Sequence, residues 1–265
     1  MDALIEKVAS ALCEARRVVV LTGAGVSAES GIATFRGAVR DAASGHGTMA
    51  ALWAEFDPMK LATPEAFAAD PATVSRWYDR RRLGCLAAAP NPGHVALAEL
   101  ERLLEERGGG LTLLTQNVDR LHQKAGSRNV VELHGNIITW RCMRTGRHVD
   151  PPPEGLAEFP APSPFDPGGL LRPDVVWFGE MLPEAALAAA AEAVADCDAF
   201  ISVGTSSMVY PAAGYVTEAA ARGAVTVEVN AEETPISRAV SVSLRGRSGM
   251  VLPELVQRLR GNLRP

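Results

Sequence analysis

Five short apolar runs in the sequence are each followed by small or polar residues whose types could perform chemistry. These residues are Gly23-Ala24-Gly25-Val26-Ser27-Ala28, Gln116-Asn117-Val118-Asp119, His134-Gly135, Gly204-Thr205-Ser206-Ser207 and Asn230. Glycines let a backbone approach a ligand closely, as phosphate binding requires. His134 is the best candidate for a general base, because imidazole exchanges protons near neutral pH. The alternative is a histidine that only stabilises the fold.

The apolar runs themselves predict the strands of a parallel sheet. They are short, continuous and rich in β-branched residues, as in strands buried on both faces, and helical periodicity separates them. Strand and helix in alternation predict an α/β fold with a doubly wound, Rossmann-like sheet. Ligands bind outside the carboxyl ends of such strands, so the five clusters should converge on one edge. The predicted strands are Val18–Thr22, Leu111–Thr115, Val130–His134, Ala199–Val203, Val225–Val229 and Ala239–Leu244.

Two stretches fall outside this alternation and predict a smaller module made from two insertions. Residues 37–90 carry helical signals with no strand between them, and residues 140–170 are rich in proline and glycine without regular periodicity. The first stretch is therefore expected to be a helical insert. The Rossmann-like domain is then expected to comprise residues 1–36, 91–139 and 171–265.

The glycine pattern after the first strand matches a dinucleotide-binding fingerprint. Gly23-x-Gly25-x-x-Ala28 would place a pyrophosphate against the backbone, although a tight strand-to-helix turn without a ligand produces the same pattern. A dehydrogenase would continue into a second strand that ends in an acid for the ribose. Asp41 has the right spacing, but no strand precedes it. This departure argues against hydride transfer.

Composition and charge exclude several other classes. The chain has 26 Lys+Arg, 31 Asp+Glu and a formal net charge of −5, so it lacks the basic surface that sequence-independent nucleic-acid binding needs. No apolar stretch approaches the roughly 18 residues of a membrane span, and the amino-terminal residues are unlike a secretion signal. We therefore expect a cytoplasmic protein with no nucleic-acid or membrane partner.

Several longer motifs, in this order, resemble the sirtuins, a family of NAD-dependent protein lysine deacylases. They are Gly23-Ala24-Gly25-Val26-Ser27-Ala28-Glu29-Ser30-Gly31-Ile32 with Thr34-Phe35-Arg36, then Thr115-Gln116-Asn117-Val118-Asp119, Leu133-His134-Gly135, Arg172-Pro173-Asp174-Val175-Val176-Trp177-Phe178-Gly179-Glu180 and Gly204-Thr205-Ser206. The resemblance spans most of the chain. It implies NAD as the cofactor and acyl-lysine proteins or peptides as substrates.

The resemblance also implies roles for single residues. His134 and Asn117 would be catalytic, and Val176, Trp177, Phe178 and Gly179 would bind the substrate, the first three as an apolar tunnel for the lysine stem. Plain core packing is the alternative for the tunnel residues, and a turn or helix cap is the alternative for Asn117 and Asp119. Implied to bind NAD are Gly23, Ala24, Gly25, Ser27, Ile32, Thr34, Phe35, Arg36, Gln116, Asn117, Asp119, Gly204, Thr205, Ser206, Asn230 and Ser248.

In the chemistry that the resemblance implies, the acyl-lysine oxygen attacks the ribose carbon that carries nicotinamide, which leaves. His134 then removes a proton from a ribose hydroxyl, and that hydroxyl attacks the carbon of the resulting imidate. The products are free lysine, nicotinamide and 2′-O-acyl-ADP-ribose. Two other functions stay open at this point. One is protein ADP-ribosyl transfer, which uses the same cleavage with another acceptor, and the other is a non-catalytic module that binds NAD or ADP-ribose.

Tyr78 and Arg81 suggest which acyl group is removed. They lie three residues apart in a predicted helix, so they share one face. A guanidinium fork and a phenol together can bind a carboxylate, and their spacing is similar to that of sirtuins acting on malonyl-, succinyl- and glutaryl-lysine. The alternative is a solvated basic helix face, since Arg76, Arg80 and Arg82 lie nearby.

The sequence departs from the sirtuin pattern at the zinc cysteines. Sirtuins ordinarily carry two Cys-x-x-Cys pairs that hold a structural zinc. Here the first pair reads Cys142-Met143-Arg144-Thr145, and no cysteine follows before Cys197. Because structural zinc needs four closed nitrogen or sulfur ligands, we expect no metal in the 140–170 insert.

Overall fold

A six-stranded parallel sheet forms the centre of the fold in the computed structural model, which describes residues 1–32 and 58–263. A second sheet of three antiparallel strands lies beside it. In chain order the strands are β1 (Arg17–Thr22), β2 (Gly110–Thr115), β3 (Val130–Glu132), β4 (Gly135–Cys142), β5 (His148–Val149), β6 (Leu171–Val175), β7 (Ala199–Val203), β8 (Val225–Asn230) and β9 (Val242–Arg245).

Helices connect these strands and cover both faces of the large sheet. Those in the described part of the chain are α1 (Asp2–Glu14), α2 (Ala24–Ala28), α3 (Pro58–Leu61), α4 (Pro64–Ala69), α5 (Pro71–Ala87), α6 (Pro92–Glu105), α7 (Leu121–Ala125), α8 (Glu184–Ala195), α9 (Tyr215–Ala221) and α10 (Ser248–Asn262), with a short 3-10 helix over Ala212–Gly214.

The strand order of the large sheet is β3-β2-β1-β7-β8-β9, and all of its strand pairs are parallel. The order along the chain therefore reverses between β1 and β7. At such a switch point the connections leave in opposite directions, which opens a crevice at the carboxyl ends of the two strands. The predicted doubly wound α/β fold is confirmed.

Burial on both faces explains why the central strands read as continuous apolar runs. Along β1, Val18 and Val20 pack with the apolar faces of α1, α6 and α10, whereas Val19 and Leu21 pack on the opposite side with α8 and α9. Alternate side chains point to opposite faces of a strand, so two separate cores require an apolar residue at every position. Each fully buried aliphatic side chain contributes about 1.5–3 kcal/mol.

The small sheet has the order β5-β4-β6 and packs against the helices that precede α6. One apolar cluster includes Phe67 and Trp77 from α4 and α5, Trp140 from β4 and Trp177 from the segment after β6. Residues distant in sequence thus share one core. This agrees with a small module formed by two insertions.

The pairing of β4 with β6 crosses the domain boundaries expected from the sequence. Residues 135–139 and 171–175 belong to the small sheet, although the sequence placed both in the Rossmann-like domain. The proline content of residues 140–170 predicted irregular structure, yet this part of the chain contributes to regular strands. Pro173 lies within β6, and β6 is an edge strand, where a missing backbone N–H is tolerated.

The last helix begins earlier than its apolar pattern predicts. The sequence predicts a helix over Leu252–Leu259 after a turn, whereas α10 starts at Ser248. The Glu29 side chain accepts hydrogen bonds from the Ser248 hydroxyl and the Gly249 N–H, both at 2.9 Å. A carboxylate at this end stabilises the first turn of a helix. Among the described helices, none is long and apolar enough to span a membrane.

Candidate active site

Two loops touch backbone to backbone at the carboxyl ends of β1 and β7. The Gly23 N–H donates to the Val203 carbonyl at 3.1 Å, and the Gly25 N–H donates to the Gly204 carbonyl at 2.8 Å. A Cβ atom on Gly25 would lie 2.7 Å from the Gly204 oxygen, and Gly204 itself has a φ of +59°. Both positions therefore need glycine, because of loop contact as well as any close approach to a ligand.

Asn117 connects the second polar cluster to the first. Its side-chain N–H group donates to the Gly23 carbonyl and to the Ser27 hydroxyl, both at 3.0 Å. The Ser27 hydroxyl also lies near the carboxylate of Asp119, where it lowers the pKa of that group. Asp119 also accepts from the Leu121 N–H at 2.9 Å, two residues on, which forms a side-chain turn just before α7, and burial raises the pKa of its carboxyl group. This contact agrees with the turn interpretation of Asp119, and the same side chain lies at the predicted site.

The remaining cluster residues extend along the same edge. Gln116 Nε2 donates to Thr205 Oγ1 at 3.0 Å, and Asn230 Nδ2 donates to the Thr205 carbonyl at 2.8 Å. Ala24 and Ser206 are half-buried beside these contacts. The clusters after β1, β2, β7 and β8 therefore meet at one edge, and their glycines, amides and hydroxyls fit a dinucleotide.

His134 follows β3 and is held in one tautomer. Its Nδ1 lies 3.0 Å from the Gln116 carbonyl oxygen, which only accepts hydrogen bonds, so Nδ1 carries the proton. Nε2 therefore carries the lone pair. Burial lowers the pKa of His134, while the bond to the Gln116 carbonyl opposes that shift. The ring is thus neutral near pH 7 and able to accept a proton.

The segment after β6 is joined to His134. The Val176 N–H donates to the His134 carbonyl at 3.0 Å, and the Phe178 N–H donates to the Ala62 carbonyl at 2.9 Å. Trp177 is buried in the small-module core, which agrees with the packing interpretation for this residue, whereas Phe178 and Gly179 are exposed. The half-buried Ile32 packs against the same core.

Tyr78 and Arg81 lie on the buried side of α5. Tyr78 is 2% exposed and Arg81 is 8% exposed, whereas Arg76 and Arg80 are exposed. The Arg81 guanidinium lies 5.4 Å from the centre of the Tyr78 ring and 4.5 Å from that of Trp77. Burial raises the pKa of Tyr78 to about 12. The alternative of a solvated basic face is therefore wrong for these two residues.

Two histidines that the sequence leaves outside the site lie directly beneath it. His94 Nδ1 accepts from the Asn91 N–H at 3.3 Å, so Nε2 faces Ser27 Oγ at 3.4 Å as the donor. His122 Nε2 lies 3.0 Å from Thr22 Oγ1, and the two imidazole rings are 4.7 Å apart. Burial lowers the pKa of His94 to about 4 and that of His122 to about 3. The sequence signal for His94 is Asn91-Pro92-Gly93-His94, which forms a capping box at the start of α6.

Ser248, which the resemblance implies to bind NAD, is buried and donates to Glu29 at the start of α10. The Ser248 hydroxyl proton is therefore already donated to a hydrogen bond within the protein. Thr34, Phe35 and Arg36, also predicted to bind the cofactor, lie outside the described residues.

Cys142 begins the turn after β4, where the sirtuin pattern has its first pair of zinc cysteines, and Ser163 and Asp166 lie in a turn further along the chain. The hydroxyls of Thr145 and Ser163 lie near the Cys142 sulfur, and both oxygens of Asp166 accept hydrogen bonds from Arg144. Within the described residues, no group of three or more His, Cys, Asp or Glu side chains could hold a metal. Because structural zinc needs four nitrogen or sulfur ligands, one thiol, two hydroxyls and an occupied carboxylate do not fit it.

Comparison with known proteins decides the family. The sequence profile of the Sir2 family matches residues 23–211. The chain belongs to the Sir2 family. The NAD-dependent protein deacylase 2 of Pyrobaculum aerophilum is 49% identical over 259 residues, which cover 97% of this chain and 96% of that protein. The mitochondrial NAD-dependent protein deacylase sirtuin-5 of Xenopus tropicalis is 40% identical over 269 residues, covering 94% and 84%.

A solved structure agrees with this assignment. The crystal structure of a Sir2 homolog–NAD complex matches with a TM-score of 0.86 and 43% identity, covering 98% of this chain and 95% of that one. The resemblance to the sirtuins inferred from the motifs is therefore confirmed, and the Sir2 fold explains both the large sheet and the small module.

The buried histidines predict how stability depends on pH. Their pKa values are lower in the folded state, so the stability they support is present above about pH 6.5 and is lost as pH falls toward the folded values. The free energy of unfolding should fall by about 2 kcal/mol for each of the two between about pH 7.5 and about pH 5. In His122→Gln the fall in unfolding free energy between these two pH values should be smaller by about 2 kcal/mol, which urea denaturation at both pH values can measure. The exposed His148→Gln is the control, and an equal loss in wild type and His122→Gln would contradict the assignment.

Proposed function

We propose that this protein removes acyl groups from protein lysine side chains with NAD, and that it prefers acidic acyl groups of the malonyl and succinyl type. NAD-dependent protein deacylation is the activity named for its full-length relatives. The acyl preference rests on one observation, the burial of Tyr78 and Arg81 together on one face of α5. A phenol and a guanidinium removed from water there can bind a carboxylate at the end of an acyl chain.

The chemistry of these two groups suits a carboxylate. The raised pKa keeps the proton on Tyr78, so its hydroxyl donates a hydrogen bond. Arg81 stays charged and presents a planar fork of donors, which matches the two oxygens of a carboxylate. Low surrounding polarity strengthens such a charge-assisted contact. An acetyl group has no carboxylate to offer, so it gains nothing from this pair.

Tyr78 is connected to the reacting end of the site through Trp177. The Tyr78 and Trp177 rings lie 6.3 Å apart, and Val176 is hydrogen-bonded to the His134 backbone. A lysine stem that lies along Val176, Trp177 and Phe178 would place its acyl group between the Tyr78–Arg81 pair and His134. Backbone groups of this segment would pair with the substrate peptide, which gives affinity with little sequence demand.

NAD, when bound, supplies the ribose carbon that accepts the acyl oxygen as nicotinamide leaves. His134 contributes through Nε2, which can take a proton from a ribose hydroxyl while Nδ1 stays bound to the Gln116 carbonyl. We propose that Asn117, held by Gly23 and Ser27, lines the nicotinamide pocket. Gln116 would contact the ribose whose C1′ reacts, and Asn230 would lie at the ribose and adenine side of the cofactor. An oriented neutral imidazole favours an enzyme over a module that only binds NAD.

Replacing Arg81 tests the acyl preference. In Arg81→Met, kcat/KM for a succinyl-lysine peptide should fall at least about tenfold, the equivalent of one charged hydrogen bond. The value for the matched acetyl-lysine peptide should change less than about threefold. Arg80→Met, exposed on the same helix, is the control for both peptides. If both activities fall equally in Arg81→Met, Arg81 has a structural role and the acidic preference is wrong.

Replacing His134 tests the reaction. His134→Ala should lower kcat for deacylation by about 10²–10⁴-fold, the usual contribution of a general base, while NAD affinity measured by calorimetry stays nearly unchanged. Because burial lowers the pKa of His134, the acidic limb of the wild-type kcat/KM profile should lie below about pH 6.5. Near-normal turnover in His134→Ala would remove the residue from this role. Label transferred from NAD to protein in place of 2′-O-acyl-ADP-ribose would indicate ADP-ribosyl transfer.

A further inference from the structure

We propose that Asp79 and Arg82 are positioning residues that set acyl selectivity by holding α5 against the 151–156 loop of the small module. The proposal rests on the function proposed above for Tyr78 and Arg81. All four residues lie within two turns of α5, and the Asp79–Arg82 pair contacts the loop directly.

The pair is buried, and both of its side chains make several hydrogen bonds. The Arg82 side chain is 1% exposed and that of Asp79 is 5% exposed. Asp79 Oδ1 accepts from Arg82 Nε at 2.9 Å and from Nη2 at 2.7 Å. A buried ion pair of this kind stabilises the folded protein little more than well-packed apolar side chains would, but its donors and acceptors need partners in fixed directions. The pair therefore fixes the position of α5 relative to the loop.

The other hydrogen bonds of the Asp79–Arg82 pair join it to the 151–156 loop. Arg82 donates to the Pro151 carbonyl at 3.2 Å and to the Pro152 carbonyl at 2.8 Å. Asp79 Oδ2 accepts from the Leu156 N–H at 2.9 Å, and a Cβ atom on Gly155, whose φ is +115°, would lie 3.3 Å from the same oxygen. The loop thus fits closely around one carboxylate and one guanidinium.

Selectivity depends on this attachment because recognition of a carboxylate is directional. Asp79 directly follows Tyr78, and Arg82 directly follows Arg81, so a shift of α5 moves both recognition groups. An acidic acyl group needs the fork and the phenol in place together. An acetyl group needs only the apolar tunnel, so it should be insensitive to the same shift.

The test is the double variant Asp79→Leu/Arg82→Met, which removes both charges and leaves no unpaired buried charge. KM for a succinyl-lysine peptide should rise at least about fivefold, while its kcat and the KM for the acetyl-lysine peptide change less than about twofold. Arg80→Met is the matched control. An unchanged ratio of the two kcat/KM values, or an equal rise in both KM values, would overturn the proposal.

Arg82→Lys keeps the proposal testable if the double variant does not fold. Lysine retains the charge but lacks the planar fork with which Arg82 reaches the carbonyls of Pro151 and Pro152. The KM for the succinyl-lysine peptide should therefore rise in this variant too, but less than in the double variant. If wild type shows no preference for succinyl-lysine, the proposed function fails. If wild type prefers it and Arg81→Met abolishes the preference while Arg82→Lys and the double variant retain it, only the positioning role fails.

A separate set of contacts leads to a second inference, that the small module is closed without a metal. Cys142-x-x-Thr145 and Ser163-x-x-Asp166 are two turns with the same spacing, and they face each other. The Met143 N–H donates to the Leu170 carbonyl at 3.0 Å, and the Arg144–Asp166 fork joins the two turns. The Arg147 guanidinium lies 4.2 Å from the centre of the Phe165 ring. These contacts join the two turns directly through protein groups.

Metal analysis tests this closure. Protein purified without chelator should contain less than about 0.1 zinc per chain, and its Tm should not change with EDTA. The variant Thr145→Cys/Ser163→Cys/Asp166→Cys restores four thiols and should bind about one zinc per chain. Stoichiometric zinc in the wild-type protein, or a Tm that EDTA lowers, would overturn the inference. A folded triple variant that binds no zinc would also contradict it, because the turns would then not face each other as described.

Discussion

The close contact between two backbone segments at the carboxyl ends of β1 and β7 is the constraint on which the rest of the site depends. Gly25 and Gly204 bring these segments within hydrogen-bonding distance, and any side chain at either position would force them apart. Asn117 then bonds to the loop after β1, and Asn230 bonds to the loop after β7. The parallel sheet places the four segments at one edge, and the glycines allow them to meet there.

Beneath this edge the protein buries several polar side chains that are hydrogen-bonded to their neighbours. The Ser27 hydroxyl lies within hydrogen-bonding distance of His94 and accepts from Asn117, and His122 lies within hydrogen-bonding distance of Thr22 beside it. A buried polar group without a partner is costly, so such a network admits one arrangement and makes the edge above it rigid. A rigid edge favours catalysis, because small displacements of the reacting groups lower the reaction rate.

The small module shows a different solution to the same need for fixed geometry. Its core combines aliphatic side chains with aromatic ones from α4, α5, β4 and the segment after β6, and two Arg–Asp ion pairs, Arg82–Asp79 and Arg144–Asp166, contact its loops. The Asp79–Arg82 pair lies next to the residues proposed to recognise the acyl group, so the contact that closes the module also orients them. In this way the stability of the module and the proposed acyl selectivity would both depend on the same helix, α5.

The sequence by itself determined the doubly wound sheet, the clusters at its carboxyl edge and the family, because strand periodicity and glycine-rich turns are local patterns. The sequence also predicted that Tyr78 and Arg81 share one helix face, since residues three apart lie on the same side of a helix. Only the tertiary structure decided that β6 is an edge strand that tolerates Pro173, that α10 begins at the distant Glu29 carboxylate, and that His94 and His122 lie under the site. Each of these depends on a partner far along the chain, and no local pattern specifies such a partner.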